Sequence, residues 1–232
     1  MDNFSEWPKK VAEVSNSGQK WAWLGESLRQ KLIFPLLSLF TPLEVKGLEH
    51  LQDKGPFIFA VNHSSHLDTP LLLAALPSAL RMQTRVAAAA DYFFSSSWKG
   101  TLVSNLLNAF PFVRQGANRV DSLVLAQQLL NAGQNLVLFP EGTRTTDGKL
   151  QTFKWGVGWL ATHSEAAVVP VWIEGTRAAM PKGARWPRRH SVLVSFGAPR
   201  RFLLANDSKQ VAAEIERQVQ NLSPASDLAQ AA

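Results

Sequence analysis

Three short, almost entirely apolar runs constrain the fold of this 232-residue chain most strongly. They lie at Phe57–Val61, Asn135–Phe139 and Ala167–Ile173, and each has the length of a buried β-strand rather than of a helix. Segments with helix-capping residues separate them, among them Asp121–Asn131, which stops at Gly133. Because strands and helices alternate, the sequence predicts an α/β fold with a sheet flanked by helices.

Further predicted elements complete a single domain with a mixed β-sheet. Asp68 and Pro70 suit the first turn of a helix that follows the first apolar run. Additional strands or extended segments are predicted at Arg85–Phe94, Phe110–Arg114 and Ser191–Phe196. Additional helices are predicted at Lys99–Leu107, Trp155–His163 and Lys209–Leu222, with a turn at Asp147-Gly148. We divide the chain into an N-terminal segment at 1–40, a globular domain at 41–205, and a C-terminal helix with a mobile tail at 206–232.

Residues 20–40 have the periodicity of an amphipathic helix. The apolar positions recur every three or four residues, at Trp21, Leu24, Leu28, Leu32, Leu36 and Leu39, and Lys20, Glu26, Arg29 and Lys31 fall between them. One interpretation is an interfacial helix that docks the chain on a bilayer; the other is an ordinary helix packed on the core. A spanning helix is not predicted, because this region falls short of the roughly 20 apolar residues that a bilayer requires.

The composition excludes several kinds of chemistry. A net charge of +6 and a pI of about 9.8 favour anionic partners, such as a membrane surface, a phosphorylated substrate or nucleic acid. The chain has no cysteine, which excludes disulfides, cysteine-ligated zinc and a cysteine nucleophile. The polar start MDNFSEWPKK lacks the features of a secretory signal, so we expect a cytoplasmic protein.

His63 lies on a predicted strand-to-helix connection, a few positions before Asp68. On a tight turn the carboxylate can return to the imidazole, fix its tautomer and stabilise its protonated form. A histidine arranged in this way can take a proton from an alcohol. His66 lies between the two and is interpreted as a solvated or helix-capping residue. A metal site would need a third ligand at a suitable spacing, which this segment does not offer.

A second candidate region follows the apolar run at Asn135–Phe139. Its sequence, FPEGTR at 139–144, turns at Gly142, and Arg144 can donate two hydrogen bonds to a phosphate. Glu141 could orient a substrate hydroxyl or pair with Arg144. Arg114 and Lys154 form a phosphate pocket with Arg144 if the turns converge; otherwise the three are solvated surface charges.

Together these residues resemble the sequence blocks of the glycerolipid acyltransferase family, which includes bacterial lysophosphatidic acid acyltransferases. Asn62 to Asp68 is similar to the family's NHxxxxD block, and FPEGTR at 139–144 is similar to its third block. Phe112-Val113-Arg114 and Val168–Val171 resemble the second and fourth blocks, and Phe153-Lys154-x-Gly156 also fits. The order and the spacing match over residues 40–200, which is most of the chain.

The resemblance implies direct acyl transfer to a hydroxyl of lysophosphatidic acid in phospholipid synthesis. His63 would be the general base, and Asp68 would orient it. The substrate-binding residues would be Arg114, Arg144 and Lys154 at the acceptor phosphate, Glu141 at the glycerol end, and Gly142 and Thr143 in the same turn. The donor would be acyl-CoA or acyl-carrier protein, with no metal and no other cofactor.

Because the substrates are lipids, the resemblance also implies peripheral attachment to the cytoplasmic face of the inner membrane. The helix at 20–40 is one candidate surface, and the basic loop around Lys182, Arg185, Trp186, Arg188 and Arg189 is another. That loop is otherwise a solvated run of charge.

Other functions remain open at this point. The acceptor could instead be glycerol-3-phosphate or another lysophospholipid. A lipid hydrolase or thioesterase could use Ser64 or Ser65 as nucleophile beside His63, although the G-x-S-x-G turn of such enzymes is absent. A nucleic-acid-binding module is disfavoured, because no motif of that class is visible.

Overall fold

The computed structural model describes residues 25–52, 55–90, 106–114, 116 and 119–224. The strands are β1 (Leu43–Lys46), β2 (Phe57–Val61), β3 (Thr84–Ala89), β4 (Ala109–Phe112), β5 (Asn135–Leu138), β6 (Ala167–Glu174) and β7 (Val192–Phe196). The helices are α1 (Phe34–Phe40), α2 (Asp68–Ala75), α3 (Ser78–Met82), α4 (Arg119–Asn131), α5 (Gly156–Thr162), α6 (Thr176–Ala179) and α7 (Ser208–Asn221). A π-helical turn at Arg29–Ile33 leads into α1, and a 3₁₀ turn at Leu48–His50 follows β1.

The strands form a mixed seven-stranded sheet in the order β1-β7-β6-β2-β5-β3-β4. The neighbours β6, β2, β5, β3 and β4 run parallel to one another. Strand β7 runs antiparallel to β6 and pairs in parallel with β1. The predicted α/β class with a mixed sheet is therefore confirmed. Because the carboxyl ends of parallel strands lie at one edge of a sheet, the loops after β2, β4, β5 and β6 meet there.

The central strand β2 is apolar at every position because helices cover both faces of the sheet. Along β2, Phe57, Phe59 and Val61 pack on one face and Ile58 and Ala60 on the other, all with no exposed surface. The first face packs against α2, and the second packs against α4, α5 and α7. Full burial of each large apolar side chain contributes roughly 1.5–3 kcal/mol, so these short runs account for much of the core.

Two strands differ from the sequence-based expectation. The sequence pattern does not predict β1, because only four residues at the edge of the sheet form it and their half-buried pattern is weak. The predicted strand Arg85–Phe94 is shorter at its described end, where β3 stops at Ala89. The rest of that segment and most of the predicted helix Lys99–Leu107 lie outside the described residues.

The predicted helix at 20–40 is helical from residue 25 onward, and residues 20–24 lie outside the described part. Leu28, Leu32, Leu36 and Leu39 form an exposed leucine ridge, with exposed fractions of 41%, 58%, 54% and 66%. On the opposite side, Phe34 and Leu37 pack against the core. One face of this helix therefore packs on the core, and the other presents an exposed apolar surface.

Two of the charged residues of this helix are buried, whereas Lys31 is exposed. Glu26, Arg29 and Arg81 of α3 are buried, and Glu26 is the shared partner of the two arginines. The Glu26 carboxylate accepts hydrogen bonds from Arg29 at 2.9 Å and from Arg81 at 2.6 Å. Although burial acts to raise it, the hydrogen bonds from Arg81 and Arg29 hold the pKa of Glu26 below its ordinary value. This buried charge cluster fixes the roll of the helix, so that the leucine ridge faces outward.

The C-terminal helix α7 packs closely on α5. A Cβ atom at Gly158 would lie 1.9 Å from the backbone oxygen of Ser208, so only glycine permits this approach. Val211, Ile215 and Val219 of α7 are buried in the shared core. Residues 225–232 of the predicted tail lie outside the described part of the chain. Among the described residues, no helix is long and apolar enough to cross a bilayer.

Candidate active site

The loops after four parallel strands carry the candidate site. His63 follows β2, Arg114 follows β4, Glu141 follows β5 and Thr176 follows β6. Asn62 joins the first of these loops to the end of β6, because its side chain donates to the Ile173 carbonyl at 3.0 Å and accepts the Ile173 N–H at 2.7 Å. The sheet therefore brings together residues that are far apart in the sequence.

The imidazole of His63 is paired with the carboxylate of Asp68. His63 Nδ1 lies 2.7 Å from Asp68 Oδ2, and Asp68 is 1% exposed whereas the His63 side chain is 19% exposed. A carboxylate at Nδ1 places the proton on that nitrogen and leaves the Nε2 lone pair available. The ring also stacks on Phe139, with centroids 4.0 Å apart and planes 25° apart.

The Asp68 carboxylate has hydrogen-bond donors at both oxygens. Oδ2 accepts the backbone N–H groups of Ser64 at 2.7 Å and Ser65 at 2.9 Å, in addition to His63 Nδ1. Oδ1 accepts the hydroxyl of Thr176 at 2.5 Å. The tight turn of residues 63–68 thus forms around the carboxylate itself, since its own amide groups donate to it.

The backbone of His63 is bonded to the loop after β5 at both of its polar groups. Its N–H donates to Glu141 Oε1 at 2.6 Å, and its carbonyl accepts the N–H of Thr145 at 2.9 Å. The other Glu141 oxygen accepts the N–H of Gln151 at 3.0 Å. The two loops therefore form one hydrogen-bonded unit.

Glu141 is buried, with 3% of its surface exposed. The expectation that it orders a substrate hydroxyl or pairs with Arg144 differs from the structure, because its oxygens accept the backbone N–H groups of His63 and Gln151 instead. Burial raises its pKa to about 7, against the opposing effect of those two donors. In this arrangement Glu141 acts on the loop that carries His63.

Arg114 and Lys154 converge on Gly142. Arg114 Nη1 donates to the Gly142 carbonyl at 2.8 Å, and a Cβ atom on Gly142 would lie 2.5 Å from Lys154 Nζ. Gly142 has a φ of 74°, which favours glycine independently of the contact. Arg144 follows two residues later and lines the same cavity as Arg114 and Lys154.

A cavity of about 670 Å³ opens beside His63. Its apolar wall includes the small residues of β3 and β4, and the predicted site residues on its surface are His63, Arg114, Gly142, Thr143, Arg144 and Lys154. Arg119 also lines it and lies over the ring of Trp155, 5.2 Å from the centroid. The cavity thus combines cations with apolar surface, which suits a ligand that has both an anionic group and a hydrocarbon chain.

His66 also lines this cavity, which corrects its interpretation as a solvated or capping histidine. Burial, and then the charges of Arg144 and His63, lower the pKa of His66. Its imidazole therefore contributes a polar group to the wall, and the charged form of this group is disfavoured.

Sequence reasoning missed Thr176, which contacts Asp68 from a distant loop. A local signal does exist, because the tetrapeptide Glu-Gly-Thr-Arg occurs at 141–144 and again at 174–177. Both copies lie at the carboxyl end of a buried parallel strand, so the recurrence marks a second turn at the same edge of the sheet.

Ser64 and Ser65 have structural partners. The Ser64 hydroxyl lies 3.1 Å from that of Thr176, and the Ser65 hydroxyl donates to the Met180 carbonyl at 2.7 Å. Both contacts turn these hydroxyls towards α6, which does not favour a serine nucleophile activated by His63.

The arrangement is that of an α/β protein suited to proton transfer beside an amphipathic cavity. The chain belongs to the Acyltransferase family, whose model matches residues 42–174. A chloroplastic 1-acyl-sn-glycerol-3-phosphate acyltransferase of Arabidopsis thaliana is 30% identical over 182 residues, which cover 75% of this chain and 49% of that protein. A lyso-ornithine lipid O-acyltransferase of Pseudomonas aeruginosa is 32% identical over 160 residues, 66% of this chain and 57% of that protein.

The chain spans about half the length of the curated relatives it matches. Among solved structures, a 1-acyl-sn-glycerophosphate acyltransferase from Thermotoga maritima superposes with a TM-score of 0.63 at 24% sequence identity. The match covers 96% of this chain and 83% of that one. This likeness supports the shared fold.

Proposed function

We propose that the chain is an O-acyltransferase that moves a fatty acyl group from a thioester donor to the free hydroxyl of lysophosphatidic acid. The observation that carries the proposal is the His63–Asp68 pair at 2.7 Å, beside a cavity with both cationic and apolar walls. Membership of the Acyltransferase family supports the same reaction class.

His63 is the general base in the proposed reaction. With Nδ1 bonded to Asp68, its Nε2 removes the proton of the acceptor hydroxyl while that oxygen attacks the thioester carbonyl. The tetrahedral intermediate then expels the thiolate, which takes the proton from His63. One ester forms, one thioester breaks, and the imidazole is regenerated without an acyl-enzyme.

The acceptor phosphate binds near Gly142 in this proposal. Arg114 and Lys154 lie against Gly142, and Arg144 comes two residues later. Charged donors of this kind bind phosphate oxygens more strongly than neutral donors do. Gly142 and Thr143 line the same part of the site, whereas Glu141 supports it from behind.

The donor is acyl-CoA or acyl-carrier protein, and its hydrocarbon chain occupies the apolar part of the cavity. That wall includes Ala87, Ala88, Ala109 and Leu160. Alanines on β3 and β4 leave space that larger side chains would fill, which gives the short side chains of the sequence a functional reason.

The proposed enzyme lies on the cytoplasmic face of the inner membrane. The leucine ridge would enter the interface, where its apolar surface leaves water. The basic loop is joined to the end of that helix, because the His190 N–H donates to the Phe40 carbonyl at 2.9 Å. Trp186 in this loop is 82% exposed, and each basic residue near anionic headgroups contributes about 1 kcal/mol.

Thiol release from acyl-CoA tests the proposal, measured in detergent micelles with and without lysophosphatidic acid. We expect release that depends on the acceptor, loss of this release in His63→Ala, and retention in His50→Ala, whose exposed imidazole lies outside the cavity lining. Release without acceptor would indicate a thioesterase. The absence of release with both acyl-CoA and acyl-carrier protein donors would reject the proposal.

Parallel assays with other acceptors decide the substrate class. Glycerol-3-phosphate and other lysophospholipids are the nearest alternatives, and the Pseudomonas aeruginosa relative makes lyso-ornithine lipid a further one to include. The convergence of Arg114 and Lys154 on Gly142 favours the acceptors that carry a phosphate.

A further inference from the structure

We propose that Thr176 is a positioning residue for this acyl transfer and acts through Asp68. The inference rests on the proposed function, in which His63 is the general base. Thr176 begins α6, directly after Gly175 with a φ of 90°, and it has no exposed surface. It is 108 positions away from Asp68 in the sequence and reaches it only through the fold.

The contact of Thr176 with Asp68 gives the second oxygen of the carboxylate a hydrogen-bond donor. Asp68 Oδ2 is occupied by His63 Nδ1 and by the backbone N–H groups of residues 64 and 65, whereas Thr176 Oγ1 lies 2.5 Å from Oδ1. Because the carboxylate is buried, loss of this donor would leave one of its oxygens without compensation for its lost hydration.

The direction of the hydrogen bonds follows from the number of available protons. A carboxylate only accepts, so the single hydroxyl proton of Thr176 is directed to Asp68. The Ser64 hydroxyl, 3.1 Å from Thr176 Oγ1, then donates to Thr176. The result is a short chain of donors from Ser64 through Thr176 to Asp68, in which each bond polarises the next.

This chain controls two properties of His63. It fixes the plane of the carboxylate, and therefore the direction in which Nε2 presents its lone pair. It also withdraws negative charge from Asp68, which moderates the stabilisation of the protonated imidazole. Without the Thr176 hydroxyl, we expect slower turnover and an acidic limb of the pH–rate profile displaced towards higher pH.

Isosteric substitution isolates the hydroxyl. Thr176→Val should lower kcat by roughly tenfold. Loss of one hydrogen bond to a charged group can raise the activation free energy enough to slow a reaction by this factor. The KM of the acceptor should change little, because Thr176 is not among the cavity-lining residues. Thr176→Ser, which keeps the hydroxyl, should restore most of the kcat and the pH profile.

Thr84→Val is the matched control. Thr84 also has no exposed surface, and its hydroxyl donates to the Leu80 carbonyl at 2.7 Å, away from the site. A general loss of stability would affect both valine variants and would leave the pH profile unchanged. In a double-mutant cycle, Thr176→Val should lower kcat much less in an Asp68→Asn background than in the wild type, because its effect passes through Asp68.

A ¹⁵N-histidine NMR titration gives a readout independent of the substrate. Thr176→Val should alter the titration of the His63 ring nitrogens, whereas Thr84→Val should not. An unchanged titration together with an unchanged pH profile would overturn the role of Thr176. If wild-type protein releases no thiol with either donor, the proposed function fails, and the NMR result still decides whether Thr176 acts on His63.

Discussion

The backbone N–H of His63 donates to the Glu141 carboxylate at 2.6 Å, and this bond joins the two loops that form the candidate site. The second Glu141 oxygen accepts the N–H of Gln151 at 3.0 Å. Burial raises the pKa of Glu141 to about 7. The loop that carries His63 is therefore bonded to a carboxyl group that changes its charge close to neutral pH.

Glu141 should make the stability of the protein depend on pH. Because its folded-state pKa lies above the ordinary value of 4.5, the folded protein binds this proton more tightly than the unfolded chain. Its contribution to stability is complete below pH 4.5 and is lost as the pH rises to about 7. Thermal unfolding of wild type and Glu141→Gln across this range should show the wild type losing its relative stability as pH rises. A difference in Tm independent of pH, as we expect for the exposed Glu165→Gln, would contradict the assignment.

A side chain at Gly142 should displace Lys154. Gly142→Ala would place its Cβ atom 2.5 Å from Lys154 Nζ, so the ammonium group must move. We expect a several-fold higher KM for the acceptor with a smaller change in kcat. Gly133→Ala is the control, because Gly133 has a similar φ of 78° but a Cβ atom there would meet no atom of the described residues within 4 Å. Equal KM values in the two variants would show that backbone strain alone explains the effect.

Arg144 should contribute mainly to binding of the acceptor. Arg144→Ala removes a cation from the cavity wall, and we expect the KM of the acceptor to rise by roughly tenfold, as for loss of a charged hydrogen bond. Arg217→Ala, on the exposed side of α7, should leave this KM unchanged. A fall in kcat at constant KM would instead indicate that Arg144 acts in the transition state.

The buried charge cluster should be important for stability. Glu26→Gln leaves Arg29 and Arg81 buried without their carboxylate, which we expect to lower the free energy of unfolding by about 3 kcal/mol. Urea denaturation measures this loss. Glu44→Gln breaks the exposed pair with Lys46, in which both side chains are more than 60% exposed, and should have little effect. Similar effects of the two substitutions would argue against a structural role for the cluster.

The leucine ridge should determine association with vesicles. Leu32→Asp combined with Leu36→Asp places charge on a surface that is already exposed, so the fold should persist while flotation with anionic vesicles is lost. Leu203→Asp combined with Leu204→Asp alters leucines that are 74% and 69% exposed elsewhere. Vesicle binding that survives the first pair, or is lost equally in the second, would contradict a docking role for this helix.

The features that could be predicted from the sequence are those with a local cause. Phe57–Val61 is recognisable because a strand covered on both faces must be apolar at every position. The His63–Asp68 contact is recognisable because a single turn closes it. By contrast, charged residues are ordinarily solvated, so burial of Arg29 depends on packing that the local pattern does not contain. The role of Thr176 is hidden for the same reason, since its partner lies 108 positions away.

The order of the strands places the groups around Asp68 and the apolar wall of the cavity on different parts of the chain, so that substitutions can change one without the other. The groups around the Asp68 carboxylate come from the loops after β2 and β6, whereas the apolar wall of the cavity comes largely from β3, β4, α4 and α5. Substitutions in that wall can reshape the volume open to a ligand without altering the donors to Asp68. A fold organised in this way can diversify its ligand range while its reaction chemistry stays constant.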